Sequence, residues 1–265
     1  MSTAGLVRKI TKATEVPVIA AGGVGVADDV RELLDAGATA VAVGTALLCA
    51  DEAGTWHEPE FTLLEWYRAF SDYDAVIEDT EAIVAAVVRA LRGGATLPGP
   101  DGREIDVTPP FERLTVREAF RRYASVPDAA ALAATDPARY FALLVDRVEP
   151  ALKRHGRPVL LVEYPLSEAA LARPVPHDPT VAERFELYVG GVELANGYGE
   201  LVDAAEQRRR FEHERARRAA AGLPLYPCDE RFLAALEEGM PPSAGNALGL
   251  DRLVALTTGA PGVDA

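Results

Sequence analysis

Cysteine is nearly absent from this 265-residue chain: Cys49 and Cys228 are the only two, with no CxxC or Cys/His spacing. That leaves neither a disulfide framework nor a zinc site to read. Positive charge is also scarce. Lys and Arg number 27 against 41 Asp and Glu, a net charge of -14, and a chain so acidic repels a phosphate backbone unless a local patch overrides the global field. General nucleic-acid binding is therefore disfavoured. No apolar run is long enough to cross a bilayer, and the first residues lack the basic, apolar and small-residue order of a signal peptide, so no membrane partner and a cytoplasmic setting are expected. Repeats and low-complexity tracts are missing as well. What is present is 49% hydrophobic sequence, enough for one large domain or two small ones.

The chain changes character near residue 50. Residues 16–23 (Val-Pro-Val-Ile-Ala-Ala-Gly-Gly) and 40–45 (Ala-Val-Ala-Val-Gly-Thr) are apolar runs flanking a helical stretch over 27–36. Runs apolar on both faces and joined by a helix predict a parallel β-α-β unit. Asp28 or Asp29 would cap the helix and Gly37 would end it. The glycines after each strand, Gly22-Gly23 and Gly44, offer backbone N–H groups of the kind that bind phosphate. A purely structural unit with glycine turns is the plainer reading.

From 61 to 92 the spacing of Leu63, Leu64, Trp66 and Tyr67, then Ile83-Val84, Val87-Val88 and Leu91, predicts helix up to Gly93-Gly94. A turn follows at 98–102, then a short strand at 104–107. Thr115 and Glu118 form a capping box for a helix over 116–123. Residues 127–154 are Ala-rich and helical, restarting at Asp136-Pro137, and 158–164 reads as a buried strand.

The chemistry concentrates farther on. Gly190-Gly191 between two alternating runs signals a two-residue hairpin, because glycine reaches the positive φ such turns need. Counting outward pairs Val189 with Val192, Tyr188 with Glu193, Leu187 with Leu194 and Glu186 with Ala195. Glu186 and Glu193 then share a face as diagonal neighbours, roughly 7–8 Å apart at the backbone, close enough to converge on one divalent ion. A solvated acidic face is the alternative. Asn196-Gly-Tyr-Gly-Glu200 adds an amide and a carboxylate. Residues 239–252 make a glycine-rich connection ending in Asp251-Arg252, where an arginine at a helix start can lie on a nucleobase or pair with phosphates. The arginines of 208–218, mixed with Glu206, Glu212 and Glu214, are read as a solvated helix with internal ion pairs.

These strings carry a resemblance. Gly-Asn-Ala-Leu-Gly-Leu-Asp-Arg-Leu at 245–253 resembles motif 3 of class II aminoacyl-tRNA synthetases, residues 54–67 resemble the second half of motif 2 in the lysine branch, and Glu-Leu-Ala-Asn-Gly-Tyr-Gly-Glu-Leu at 193–201 resembles that branch's metal and amino-acid segment. Ala247, the run 182–186 and the run 219–224 are most similar to the stand-alone ligases that attach β-lysine to elongation factor P. The resemblance implies an α+β fold: a partial class II antiparallel sheet with helices over 51–265, preceded by an orphan parallel β-α-β unit over 1–50. It implies ATP and Mg²⁺, with Phe61 and Arg252 on either side of adenine, His57 near the triphosphate, Gly249 against the nucleotide, and Glu186 and Glu193 on the metal. Arg252 is the implied catalytic residue. Glu65, Tyr67, Asn196, Glu200 and Ala247 would form the subsite for lysine or β-lysine. Elongation factor P is the implied acceptor, ahead of tRNA, and a homodimer the implied assembly. Residues 5–50 resemble the phosphate-binding end of flavin-dependent barrels of the nitronate monooxygenase and dihydroorotate dehydrogenase types, but two strands of eight do not make such a barrel, so FMN is not expected.

The sequence also departs from the pattern. Ahead of residue 55, where the family has motif 1 and the motif 2 arginine, stands Ala-Leu-Leu-Cys-Ala-Asp-Glu-Ala at 46–53, and Glu58 replaces the usual Asn after the motif 2 histidine. A parallel unit is expected to continue an antiparallel sheet poorly. Three functions stay open at this point: a lysine-type ligase, an inactive fragment or chimera acting at most as a binding module, and a flavin-associated oxidoreductase fragment.

Overall fold

The computed structural model describes Arg8, Lys12, Ile19–Ala21, Asp35, Ala40–Ala42, Thr55–His57, residues 61–99 and residues 102–263. The expected helix over 27–36, its caps and the glycines at 22, 23, 37 and 44 lie outside these residues, apart from Asp35, which is helical.

The described residues form eleven strands in chain order: β1 (Ile19–Ala21), β2 (Ala40–Ala42), β3 (Leu63–Ala69), β4 (Thr96–Pro98), β5 (Glu104–Asp106), β6 (Glu112–Thr115), β7 (Val159–Pro165), β8 (Pro174–Val175), β9 (Asp178–Val189), β10 (Val192–Gly199) and β11 (Ser243–Gly249). Among the described residues, nine form one sheet in the order β2-β1-β3-β11-β10-β9-β7-β6, with β8 beside β9, while β4 and β5 pair separately. The centre is antiparallel, and parallel pairs occur at the two ends, β1 with β2 and β6 with β7. The expectation that the N-terminal unit would continue the sheet poorly is corrected here. Strand β1 pairs antiparallel with β3, Ile19 opposite Glu65 and Ala21 opposite Leu63. One strand can pair parallel on one edge and antiparallel on the other, because its N–H and C=O groups point to both sides.

A second correction concerns residues 61–72. Leu63, Leu64, Trp66 and Tyr67 fit a helix or a strand equally well by spacing. Here Leu64 and Trp66 are buried while their neighbours are not, the period of two that a half-buried strand requires. Helix α1 (Tyr73–Arg92) starts only where the Asp72 side chain accepts from the Ala75 N–H at 3.1 Å, and it ends at Gly93 in the left-handed region. The other elements fall where the pattern puts them: the Thr115 cap, helical turns through 116–152 with Asp136 capping at Pro137, and β7 on 159–165.

The two sheet faces have different fates. On one, Val76, Ile77, Ile83, Val84 and Val88 of α1 pack on Leu64, Trp66, Phe185, Leu187 and Leu248. Full burial of each such side chain is worth about 1.5–3 kcal/mol. Three polar ties fix the helix on this face: Arg68 with Asp79 at 2.7 Å, Asn246 Nδ2 donating to Thr80 Oγ1 at 2.8 Å, and the Phe111 N–H donating to Glu81 at 2.9 Å. On the other face, the helical turns of 116–152 cover only the β7–β9 end, packing Phe120 and Tyr140, stacked at 4.8 Å, with Leu161, Tyr164 and Tyr188. Among the described residues, no helix covers that face over β3, β11 and β10, and the site lies there.

Helix α2 (Ala204–Ala220) carries the arginine run. Arg208 pairs with Glu230, Arg209 and Arg210 with Glu206, and Arg217 with Glu214, the ion-paired helix expected. Helix α3 (Glu230–Gly239) packs beside it through Phe211 and Phe232. Cys228 carries a free thiol.

Candidate active site

The open face is a trough whose floor is β11. Gly245, Ala247 and Gly249 point into it, flanked by Tyr67, Glu65 and Leu63 of β3, and Ala247 and Gly245 lie opposite Asn196 and Tyr198 of β10. Small residues in the middle strand with taller ones on both neighbours make a groove, with strands about 4.8 Å apart. Gly245 leaves room for the Tyr67 ring to lie along the groove: a Cβ there would come within 2.6 Å of it.

The hairpin supplies the third wall, with a register different from the simple count. Val189–Val192 and Tyr188–Glu193 pair as expected, but a bulge follows, so that Leu187 faces Ala195 and Glu186 faces Asn196. The extra residue rotates the strand. Glu193 and Asn196, three residues apart, thereby both turn toward the trough, and two cross-sheet rows result: Glu65–Ala247–Asn196–Glu186 and Tyr67–Gly245–Tyr198–Arg184.

At one end the groove deepens into a cleft of about 500 Å³ lined by Trp56, His57, Phe61, Thr62, Leu63, Glu193, Leu194, Ala195, Asn196, Ala247, Gly249, Asp251, Arg252 and Val263. Seven of the residues singled out in the sequence meet here: His57, Phe61, Glu193, Asn196, Ala247, Gly249 and Arg252. Helix α4 (Leu250–Thr258) brings in Arg252. Its stem crosses above Gly249, its Nε donates to the Trp56 carbonyl at 3.1 Å, and its Nη1 donates to the Glu193 carbonyl at 2.7 Å with the Glu193 carboxylate 3.8 Å away. Asp251 accepts from the Thr62 N–H at 2.6 Å, which locks the helix start to the entry of β3.

Glu65, Tyr67, Glu186 and Glu200 stand outside the cleft lining but in the same trough. Burial raises the pKa of Glu65, and burial pushes Glu200 up to about 7 against the opposing pull of Arg173. Tyr67 and Tyr198 are raised first by burial and then by Glu200, Tyr198 to about 12. Glu65 is paired with no arginine or lysine among the described residues. The trough therefore holds desolvated carboxylates in excess of cations, a surface that favours bound positive charge.

Among the site carboxylates Glu65, Glu186, Glu193 and Glu200, Glu186 is the one that is buried. Its Oε1 accepts from Arg184 Nη2 at 2.7 Å, and its Oε2 from Tyr164 at 2.5 Å and Tyr188 at 2.7 Å. Glu193 is pushed up to about 7 by burial and then by Glu186, with Arg252 opposing. No group of three or more His, Cys, Asp or Glu side chains stands ready to hold a metal among the described residues. A carboxylate pair fits magnesium all the same, since that ion takes one or two carboxylates and fills its octahedron with water and phosphate oxygens.

Arg184, Tyr164, Tyr188 and Tyr198 were not singled out from the sequence, yet three of them were within reach. Arg184 and Tyr188 lie two residues on either side of Glu186, and Tyr198 two beyond Asn196, so strand alternation puts them on the same face.

Comparison with known proteins shows relatives over most of the chain. The family model for tRNA synthetases class II (D, K and N) matches residues 50–265, and that for nitronate monooxygenase matches residues 1–66. The elongation factor P–(R)-β-lysine ligase of Edwardsiella ictaluri is 43% identical over 215 residues, covering 79% of this chain and 65% of the relative. That of Proteus mirabilis is 41% identical over 214 residues, 79% of this chain and 64% of the relative. The lysine–tRNA ligase of Dehalococcoides mccartyi strain 195 is 40% identical over 223 residues, 77% of this chain and 44% of the relative. The chain thus spans less than two thirds of the length of these relatives.

Proposed function

We propose, given that the chain belongs to the tRNA synthetases class II (D, K and N), that its trough activates lysine or β-lysine with ATP and passes it to an acceptor. The observation behind this reading is the adjoining of two unlike halves in one groove: a cleft lined by Phe61, His57 and Arg252, and a pair of desolvated, under-compensated carboxylates, Glu65 and Glu200. The first half suits a nucleotide, with an aromatic ring and a guanidinium for the base and a histidine for the phosphates. The second suits a lysine-like substrate, whose two ammonium groups and carboxylate would be received by Glu65, Tyr67, Asn196 and Glu200 with Ala247 as floor.

In the reaction a carboxylate oxygen of the amino acid attacks the α-phosphorus, the bond to the bridging oxygen breaks, and pyrophosphate leaves. Arg252 offsets the charge that builds on the phosphate. A magnesium ion on Glu186 and Glu193 would neutralise phosphate oxygens when bound. Gly249 lets the nucleotide approach the β11 backbone.

The β-lysine ligase relatives support elongation factor P as acceptor, and the net charge of -14 opposes tRNA. The proposal divides the chain near residue 50, a reading supported by the start of the synthetase family match at that residue. The nitronate monooxygenase match favours a second reading for that first part, which flavin absorbance in the purified protein would support and its absence would remove.

The test is ATP–pyrophosphate exchange. Exchange should depend on lysine or β-lysine and fall by roughly 10²-fold or more in Arg252→Ala. No amino-acid-dependent exchange in the intact chain sinks the proposal.

A further inference from the structure

One cation in the trough is unused by this chemistry. Arg184 is largely buried, its side chain 21% exposed, among groups that leave it little freedom. Its Nη2 donates to Glu186 at 2.7 Å, its Nη1 donates to the Glu168 carbonyl at 2.5 Å, and its guanidinium carbon lies 4.5 Å above the Tyr164 ring. The fork is therefore a fixed, permanently charged donor. Its third side is turned to the trough, where Nε donates to Asn196 Oδ1 at 3.4 Å.

That last contact determines what Asn196 can offer a ligand. A guanidinium has donors only, so the amide must turn its oxygen to Arg184, and its Nδ2 hydrogens are left for other partners. Asn196 lines the cleft, next to Ala247 across the β10–β11 pairing and beside Glu193. A donor there repels an ammonium and attracts an anionic oxygen. The amine-binding work is left to Glu65 and Glu200, which are acceptors.

We infer that Arg184 is a positioning residue that orients the Asn196 amide, so that Asn196 holds the carboxylate of the amino acid while the acidic row holds its amines. This deepens the proposed function and rests on it. The side chain of Arg184 acts through Asn196 and does not itself touch substrate. Its anchors, Glu186 and the Glu168 carbonyl, hold the fork still so that the weaker, longer bond to Asn196 has a fixed direction.

The test separates the carboxylate from the amines by calorimetric binding of two probes to the intact chain: lysine, and cadaverine, the same diamine without the carboxylate. Arg184→Gln is expected to weaken lysine by roughly tenfold, the worth of one hydrogen bond to a charged group, and to leave cadaverine within about twofold. Arg184→Lys keeps a cation beside Glu186 and protects the fold, yet one ammonium cannot hold three acceptors in a plane, so the same loss of discrimination is expected. Equal weakening of both probes in Arg184→Lys, or full retention of the lysine preference, overturns the assignment, because a merely structural role moves both probes together. If the unaltered chain binds neither probe, the proposed function fails first and takes this inference with it. If it binds both and only the variants behave unexpectedly, the function stands and Arg184 is wrongly assigned.

Discussion

Two glycines that sit beside each other in the sheet should respond differently to the same methyl group. Gly197 pairs with Asn246, the next residue after Gly245, but the two glycines face opposite sides. A Cβ on Gly197 would come 2.6 Å from Phe185 and 2.7 Å from the Gly245 carbonyl, and Phe185 is fully buried in the core under α1. Neither obstacle can retreat. Gly197→Ala is expected to cost about 3 kcal/mol, the upper part of the overpacking range, which lowers Tm by roughly 6–12 °C for a domain of this size. A Cβ on Gly245 would meet the Tyr67 ring at 2.6 Å and the Trp66 carbonyl at 3.2 Å, and Tyr67 is 53% exposed. The ring can swing into solvent, so Gly245→Ala should stay within about 1 kcal/mol of the parent in a urea melt. The displaced ring leaves the trough, however, and lysine-dependent exchange should drop by roughly tenfold to hundredfold, the scale of a misplaced positioning group. Gly245→Ala melting as low as Gly197→Ala, or exchanging like the parent, would refute the division of the sheet into a core face and a site face.

Acidity and capping give further checks. Glu193 and Glu200 titrate near 7 in the folded chain, above the usual carboxylate range that the unfolded chain retains, so the native state holds more protons between about 4.5 and 7. Stability should therefore fall as pH rises through that window, and Glu193→Gln or Glu200→Gln should flatten the slope in melts taken across it. The same ionisations create the amine-binding charge, so the KM for lysine should fall as pH rises through 7. Thr115→Ala removes the hydroxyl that accepts from the Glu118 N–H at 3.1 Å and should cost about 1 kcal/mol by thermal melt.

Much of the site was legible in the sequence because its residues come in short strings with local geometry. Gly190-Gly191 fixed the hairpin turn, and both adopt positive φ. The chain from Gly249 to Arg252 gave a strand running into a helix. Two things were hidden. Apolar spacing at 63–67 fits either a helix or a strand, and only the pairing of β3 with β11 decides the case, a tertiary fact with no local signal. The bulge after Glu193 was equally silent, since no glycine marks it. Yet it is the bulge that turns Asn196 toward Glu186 in place of Ala195. The docking of β1 on β3 likewise depends on an open strand edge, which no pattern within residues 16–45 reveals.

The central claim is that one groove takes a nucleotide and a lysine-type amino acid end to end. A hydrolysis-resistant lysyl-adenylate analogue, titrated calorimetrically into the intact chain, occupies both halves at once. The account predicts binding at least roughly 10²-fold tighter than ATP or lysine alone, weakened by Arg252→Ala at the nucleotide end and by Glu200→Gln at the amino-acid end. An analogue that binds no more tightly than its separate parts, or is indifferent to both substitutions, would contradict it.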